Sequence, residues 1–211
     1  LTADELAGEA GMDEFYTGVW SQAAYGAGIL ELAGADKYVL APHMDKLLLD
    51  TDFPGYVGGI VAVFGQPEIF DKFDENLPSG KRTWWDEVSP EFIGAVSGTG
   101  RPFYNRVIPG GLSKIPGLVE KLEAGASVLE LASGAGHGLA KWAGQYPNIA
   151  LTGLDGDAYS ITPAEATVPA AGHGQRVRFV KSTLEDFSEP ETYDLLSRNI
   201  SFPLARRRTL A

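Results

Sequence analysis

The sequence predicts a doubly wound α/β fold: a parallel sheet of about four strands, preceded by a mainly helical domain. Three observations predict it. Residues 127–131, 149–154, 177–180 and 193–196 are short apolar runs of strand length. A glycine-rich stretch, Gly134-Ala135-Gly136-His137-Gly138, joins the first of them to an amphipathic helix. Before Ser127 the texture is helical, with repeated Pro and Gly punctuation.

Taken in order, Thr2 with Glu5 three residues on forms a capping-box pattern. Leu6 and Ala7 give that first helix its apolar face, and Gly11 ends it. Asp13 caps a second helix, on which Phe15, Val19, Ala23 and the following Leu30 are expected to share one core face. Residues 29–32 and 37–40, around Ala33-Gly34-Ala35-Asp36, predict a hairpin. Two helices followed by a hairpin is winged-helix order, so residues 1–50 form a winged-helix-like domain. Residues 51–122 are a helical connecting or lid region broken at Pro54, Pro67, Pro78-Ser79-Gly80, Pro90 and Pro109-Gly110-Gly111. Its aromatics, Trp84, Trp85, Phe92, Phe103 and Tyr104, are expected in core and interhelix packing, as is Tyr16. Residues 123–211 form the sheet domain, in the order strand, helix, strand, strand, strand. Its helix carries Leu139, Trp142, Ala143 and Tyr146 at i, i+3, i+4 and i+7 and stops at Pro147.

Composition narrows the function. The chain has 211 residues, 44% hydrophobic and 10% aromatic, enough for a real core. No apolar run approaches the ~18 residues of a membrane span, and the first residues lack the pattern of a signal peptide. With no Cys there are no disulfides or thiolate ligands, which suits the cytoplasm. His43, His137 and His173 stand apart, so no metal site is expected. Residues 1–120 hold 18 acidic and 8 basic side chains, a net of −10, and residues 121–211 only −1.

The chemistry concentrates at Glu130-Leu131-Ala132-Ser133-Gly134-Ala135-Gly136, between strand and helix. Glycines let the backbone turn tightly and approach a ligand, and the helix start presents free N–H groups. Asp155 ends the next strand, where a carboxylate can accept both hydroxyls of a ribose. The third strand leads into Ser182-Thr183-Leu184-Glu185-Asp186-Phe187, beside which an adenine ring could lie.

These motifs resemble class I S-adenosylmethionine-dependent methyltransferases, over roughly residues 120–200. Residues 128–136 look like their first motif, Leu154-Asp155-Gly156-Asp157 like the acidic end of their second strand, 177–187 like the third strand and adenine loop, and 193–199 like the fourth strand. The resemblance implies a Rossmann-like fold and S-adenosyl-L-methionine as cofactor. It places the methionine part at the glycine turn, with Glu130, Ala132, Gly134 and Gly136, the ribose at Asp155 and Gly156, and the adenine at Thr183, Leu184 and Asp186. Ala132 replaces the usual first glycine, and Thr183 stands where an Asp commonly faces the adenine. Residues 1–42, and 90–104 more loosely, resemble the winged-helix-like region and connecting helices that precede some small-molecule methyltransferases. Methyl transfer to a small molecule is the implied activity. The N-terminal domain is expected to serve either in dimerisation, as a homodimer contact, or as a substrate lid.

Two other functions compete. A nicotinamide-dependent oxidoreductase would need Gly at position 139, which is Leu. A winged-helix DNA-binding regulator would need basic residues on its reading helix, and residues 11–36 contain none, so no nucleic-acid partner is expected. His137 is expected to face solvent at the helix start rather than serve as a general base. Arg206-Arg207-Arg208 is expected to be a solvated charge run. Four strands stand against the seven that the resemblance implies, and the initiator Met is missing. The chain is therefore expected to be an incomplete, inactive form: a gene fragment, or a frame disturbed near Asn199.

Overall fold

Local signals at the N-terminus shape the first elements of the computed structural model, which describes residues 1–83, 85–189 and 192–199. Trp84, the 206–208 arginines and the rest of 201–211 lie outside the described residues. Two compact units form, Leu1–Thr51 and a second from Asp52 on.

In the first unit, α1 (Ala3–Ala10) opens on the capping box. The Glu5 N–H donates to Thr2 Oγ1 at 3.1 Å, and the Thr2 N–H donates to Glu5 Oε2 at 2.8 Å. Gly11 closes it in the left-handed conformation, φ 64°. Asp13 caps α2 (Glu14–Gly26) by accepting from the Tyr16 N–H at 3.0 Å. β1 (Leu30–Leu32) and β2 (Tyr38–Leu40) pair antiparallel, Glu31 opposite Val39, and α3 (Met44–Leu49) follows.

The core face expected on α2 is corrected here. Thr17, Ser21 and Ala24 are buried, whereas Phe15 and Tyr16 are 73% exposed and Val19 51%. The buried faces of α1 and α2 are instead built of small side chains, with Ala7 on α1. The large apolar stripe Met12, Phe15, Tyr16, Val19 and Trp20 is left facing outward. Tyr16 is thus not a core residue. Leu30 is buried as expected.

The second unit begins with α4 (Gly58–Phe64), α5 (Pro67–Asn76), α6 (Pro90–Gly98), α7 (Arg101–Arg106) and α8 (Leu118–Ala124). Pro67 and Pro90 start helices rather than break them, since the first turn needs no N–H from them. Ser89 caps α6 by accepting from the Phe92 N–H at 3.1 Å. α4 crosses α6 at glycines: a Cβ on Gly59 would lie 2.6 Å from the Gly98 carbonyl carbon.

The sheet comprises β3 (Ser127–Leu131), β4 (Ala150–Asp155), β5 (Val177–Lys181) and β6 (Leu195–Arg198), all parallel, in the order β5-β4-β3-β6. Chain order reverses between β3 and β6, the switch point at whose carboxyl ends doubly wound sheets bind ligands. Between β3 and β4 runs α9 (His137–Gln145). Leu139, Trp142 and Ala143 bury its apolar face, with Tyr146 just past its end, against Val128, Ile149 and Leu151. Between β4 and β5 lies α10 (Ala158–Ala170), a helix absent from the expected strand-helix-strand-strand-strand order. Pro163 and Pro169 inside it hide it in the sequence, because each removes a backbone donor. Asp157 caps it by accepting from the Ser160 N–H at 2.8 Å. No helix among the described residues is long and apolar enough to cross a membrane.

Candidate functional site

The turn between β3 and α9 is made of left-handed residues: Ala132 at φ 53°, Gly134 at 55° and Gly136 at 79°. Two bonds close it, from the Ser133 N–H to the Leu154 carbonyl and from the Gly136 N–H to the Ser133 carbonyl, both 3.1 Å. The turn is thereby pinned to the end of β4, where Asp155 sits. The Gly134 N–H donates to Asp155 Oδ2 at 2.9 Å and the Asp157 N–H to Oδ1 at 3.1 Å. Burial raises the Asp155 carboxyl above the usual carboxylate range, opposed mainly by the amides of Gly134 and Asp157.

A cavity of about 370 Å³ opens over this turn at the switch point. Ala132, Gly134 and Asp155 line it. The other expected residues are placed around it. Glu130 is fully buried behind the wall, and Gly136 packs on α10, where a Cβ would stand 3.0 Å from the Ala164 Cβ. Gly156 is exposed beside the Ser182 carbonyl. Thr183, Leu184 and Asp186 are exposed on a loop that leaves β5 next to Asp155, through a 3.0 Å bond from the Ser182 N–H to the Asp155 carbonyl. That loop is tied internally, the Thr183 hydroxyl donating to Asp186 Oδ2 at 2.7 Å.

The opposite wall comes from the helices before the sheet. Ser97, Gly100 and Tyr104 line the cavity, with Trp85, and Asn199 reaches it from the end of β6. Ser97 Oγ accepts from the Ala135 N–H at 3.3 Å, so α6 touches the glycine turn directly. Tyr104 therefore serves both core and cavity wall. Ser97 and Gly100 lie in the 90–104 stretch and Asn199 at the end of the 193–199 stretch, but nothing in the sequence singles them out for the cavity, because each reaches it through tertiary placement.

His137 corrects its expectation. It lines the cavity, half-buried, instead of facing solvent. Burial, and then the charge of Arg101, pull its pKa down to about 4, so the ring is neutral at pH 7.

A nucleoside cofactor with a methionine tail suits these residues. The left-handed turn brings backbone close to the cavity, and Asp155 keeps a free lone pair on each oxygen beyond the bond each already accepts. Ser133 lines the cavity too, but its hydroxyl is buried against Gly153 and has no hydrogen-bond partner among the described residues.

Ala132 holds a conformation that disfavours a Cβ. Ala132→Gly is expected to stabilise the fold by on the order of 0.5–1 kcal/mol, the relief of strain outweighing the added freedom of the unfolded chain. A thermal melt reads this as a higher Tm; an unchanged or lower Tm contradicts it.

No protein-family model matches the chain, and no curated protein matches it. Solved structures do. An O-methyltransferase family protein from Burkholderia thailandensis is 23% identical, with 88% of this chain and 55% of that one covered and a TM-score of 0.60. PigF, solved with SAH, is 19% identical over 93% of this chain and 61% of its own, with a TM-score of 0.67. N,N-8-amino-8-demethyl-D-riboflavin dimethyltransferase from Streptomyces davawensis is 20% identical over 89% and 58%, with a TM-score of 0.54. The chain thus spans 55 to 61% of the length of these three. At these identities what it shares with them is the fold, which in this chain is Rossmann-like in its parallel β5-β4-β3-β6 sheet.

Proposed function

We propose that this chain carries the S-adenosylmethionine site of a methyltransferase acting on a small molecule. The observation that carries the reading is the bond between Asp155 and the Gly134 amide. It locks an acid and a left-handed glycine turn into one cavity at the switch point. When bound, the cofactor supplies an electrophilic methyl group for a nucleophilic O, N or C of the acceptor. The turn at Ala132 and Gly134 would hold its methionine part, with Glu130 and Gly136 supporting the turn from behind. Asp155, beside Gly156, would accept the ribose hydroxyls, and Thr183, Leu184 and Asp186 would border the adenine. Holding the reactants in line is the principal contribution of such a site. A neighbour of the same fold solved with SAH supports the reading.

Residues 1–50 are proposed as a winged-helix-like domain, 51–122 as a helical connecting or substrate-lid region, and 123–211 as a partial cofactor-binding domain. The outward stripe on α2 suits a homodimer contact. The net −10 of residues 1–120 argues against a nucleic-acid partner. A cytoplasmic setting suits a chain without Cys.

Calorimetry with S-adenosylhomocysteine and with NAD tests the reading. The homocysteine compound is expected to bind and NAD to bind more weakly or not at all. Tighter binding of NAD would overturn it.

A further inference from the structure

Glu130 has no exposed surface and, among the described residues, one hydrogen bond at full geometry, from the Tyr104 hydroxyl to its Oε1 at 2.5 Å. Among the described residues its Oε2 and the nearby Trp142 Nε1 meet no partner at hydrogen-bonding geometry, although the indole lies close enough to favour the charged carboxylate. A buried carboxyl so sparsely satisfied destabilises a core, and an apolar side chain of similar size would avoid that cost. Stability therefore does not explain an acid here. Its one partner does something else: Tyr104 lines the main cavity and also a smaller one of about 230 Å³ beside it, with His137 common to both.

The surroundings are built around this pair. Gly138, in the first turn of α9, packs so closely that a Cβ there would collide with both Glu130 and the Tyr104 ring. Asn199, at the end of β6, donates to the Gly100 carbonyl at 3.1 Å. The junction of α6 and α7, which forms the cavity wall, is thus tied to the two strands that flank the switch point, β3 through Glu130 and β6 through Asn199.

We propose that Glu130 is a positioning residue of this site, which holds the Tyr104 ring as a wall of the cavity and touches no ligand itself. The inference rests on the reading of the cavity as a cofactor site. Glu130→Gln keeps an acceptor for the hydroxyl, whereas Glu130→Leu and Tyr104→Phe remove the bond.

The experiment titrates S-adenosylhomocysteine into the parent and these variants, each first shown to melt cooperatively, and follows hydrogen exchange of residues 97–106. Glu130→Leu and Tyr104→Phe are each expected to weaken binding about tenfold, and the double variant no more than either alone. Glu130→Gln should stay within about threefold of the parent. Exchange of 97–106 should quicken in Glu130→Leu and not in Glu130→Gln. Parent affinity in Glu130→Leu would overturn the inference. So would a loss in Glu130→Gln as large as in Glu130→Leu with Tyr104→Phe silent, because that pattern marks direct ligand contact. If the parent itself does not bind, the cofactor reading fails and exchange still decides the inference: unchanged exchange in Glu130→Leu refutes the tether.

Discussion

Between pH 4.5 and about 7 the chain is expected to lose on the order of 3 kcal/mol of stability that a Glu130→Gln variant keeps. Burial is the first cause. It pushes the Glu130 carboxyl from 4.5 up to about 7, while the Tyr104 hydroxyl, and then the nearby Trp142 indole, oppose it. Below pH 4.5 the carboxyl is neutral in both folded and unfolded chains, and its share of stability is complete. As pH rises, the unfolded chain ionises first and gains on the folded one. Once the folded carboxyl also ionises, near pH 7, the loss is complete. Other shifted groups, such as Asp155, are common to both variants and cancel in the difference. Urea unfolding of both at pH 4.5, 6 and 7.5 reads the gap. Parallel stability curves would show that Glu130 is not held neutral.

The second large effect belongs to ligand binding. Asp155→Ala is expected to weaken S-adenosylhomocysteine by about 1.5–3 kcal/mol, roughly ten- to a hundredfold. Each Asp155 oxygen accepts one backbone amide and retains a lone pair for a hydroxyl. The substitution removes the acceptors and also leaves the Gly134 and Asp157 amides without their partner. Asp155→Asn separates the two parts, because it keeps one carbonyl acceptor and should fall between parent and Ala. Equal affinity of Asp155→Ala and parent would remove Asp155 from the site.

The sheet was legible because its strands are apolar runs of the right length, and α9 because Leu139, Trp142, Ala143 and Tyr146 repeat on one face. α10 was not: two prolines interrupt it, and its buried side chains, Ser160, Ile161, Ala164 and Val168, form no strong apolar period. On α2 the apolar stripe was visible but its direction was not, since periodicity reports a face and not what covers it. The glycine turn and Asp155 were legible as motif. Which glycine meets the cavity and which meets a helix was not, because Gly134 and Gly136 differ only in what packs against them. The wall from Ser97 to Tyr104 lies more than 25 residues before the turn, and no local pattern announces that the chain returns there.

Backbone NMR of the labelled chain, titrated with S-adenosylhomocysteine, tests the central claim most directly. The amides of Ala132 to Gly136, with Gly156 and Asp157, should shift together and saturate at one affinity. Those of α2 should stay in place. No shift in the 132–136 turn, or the same shifts produced more tightly by NAD, would contradict the account.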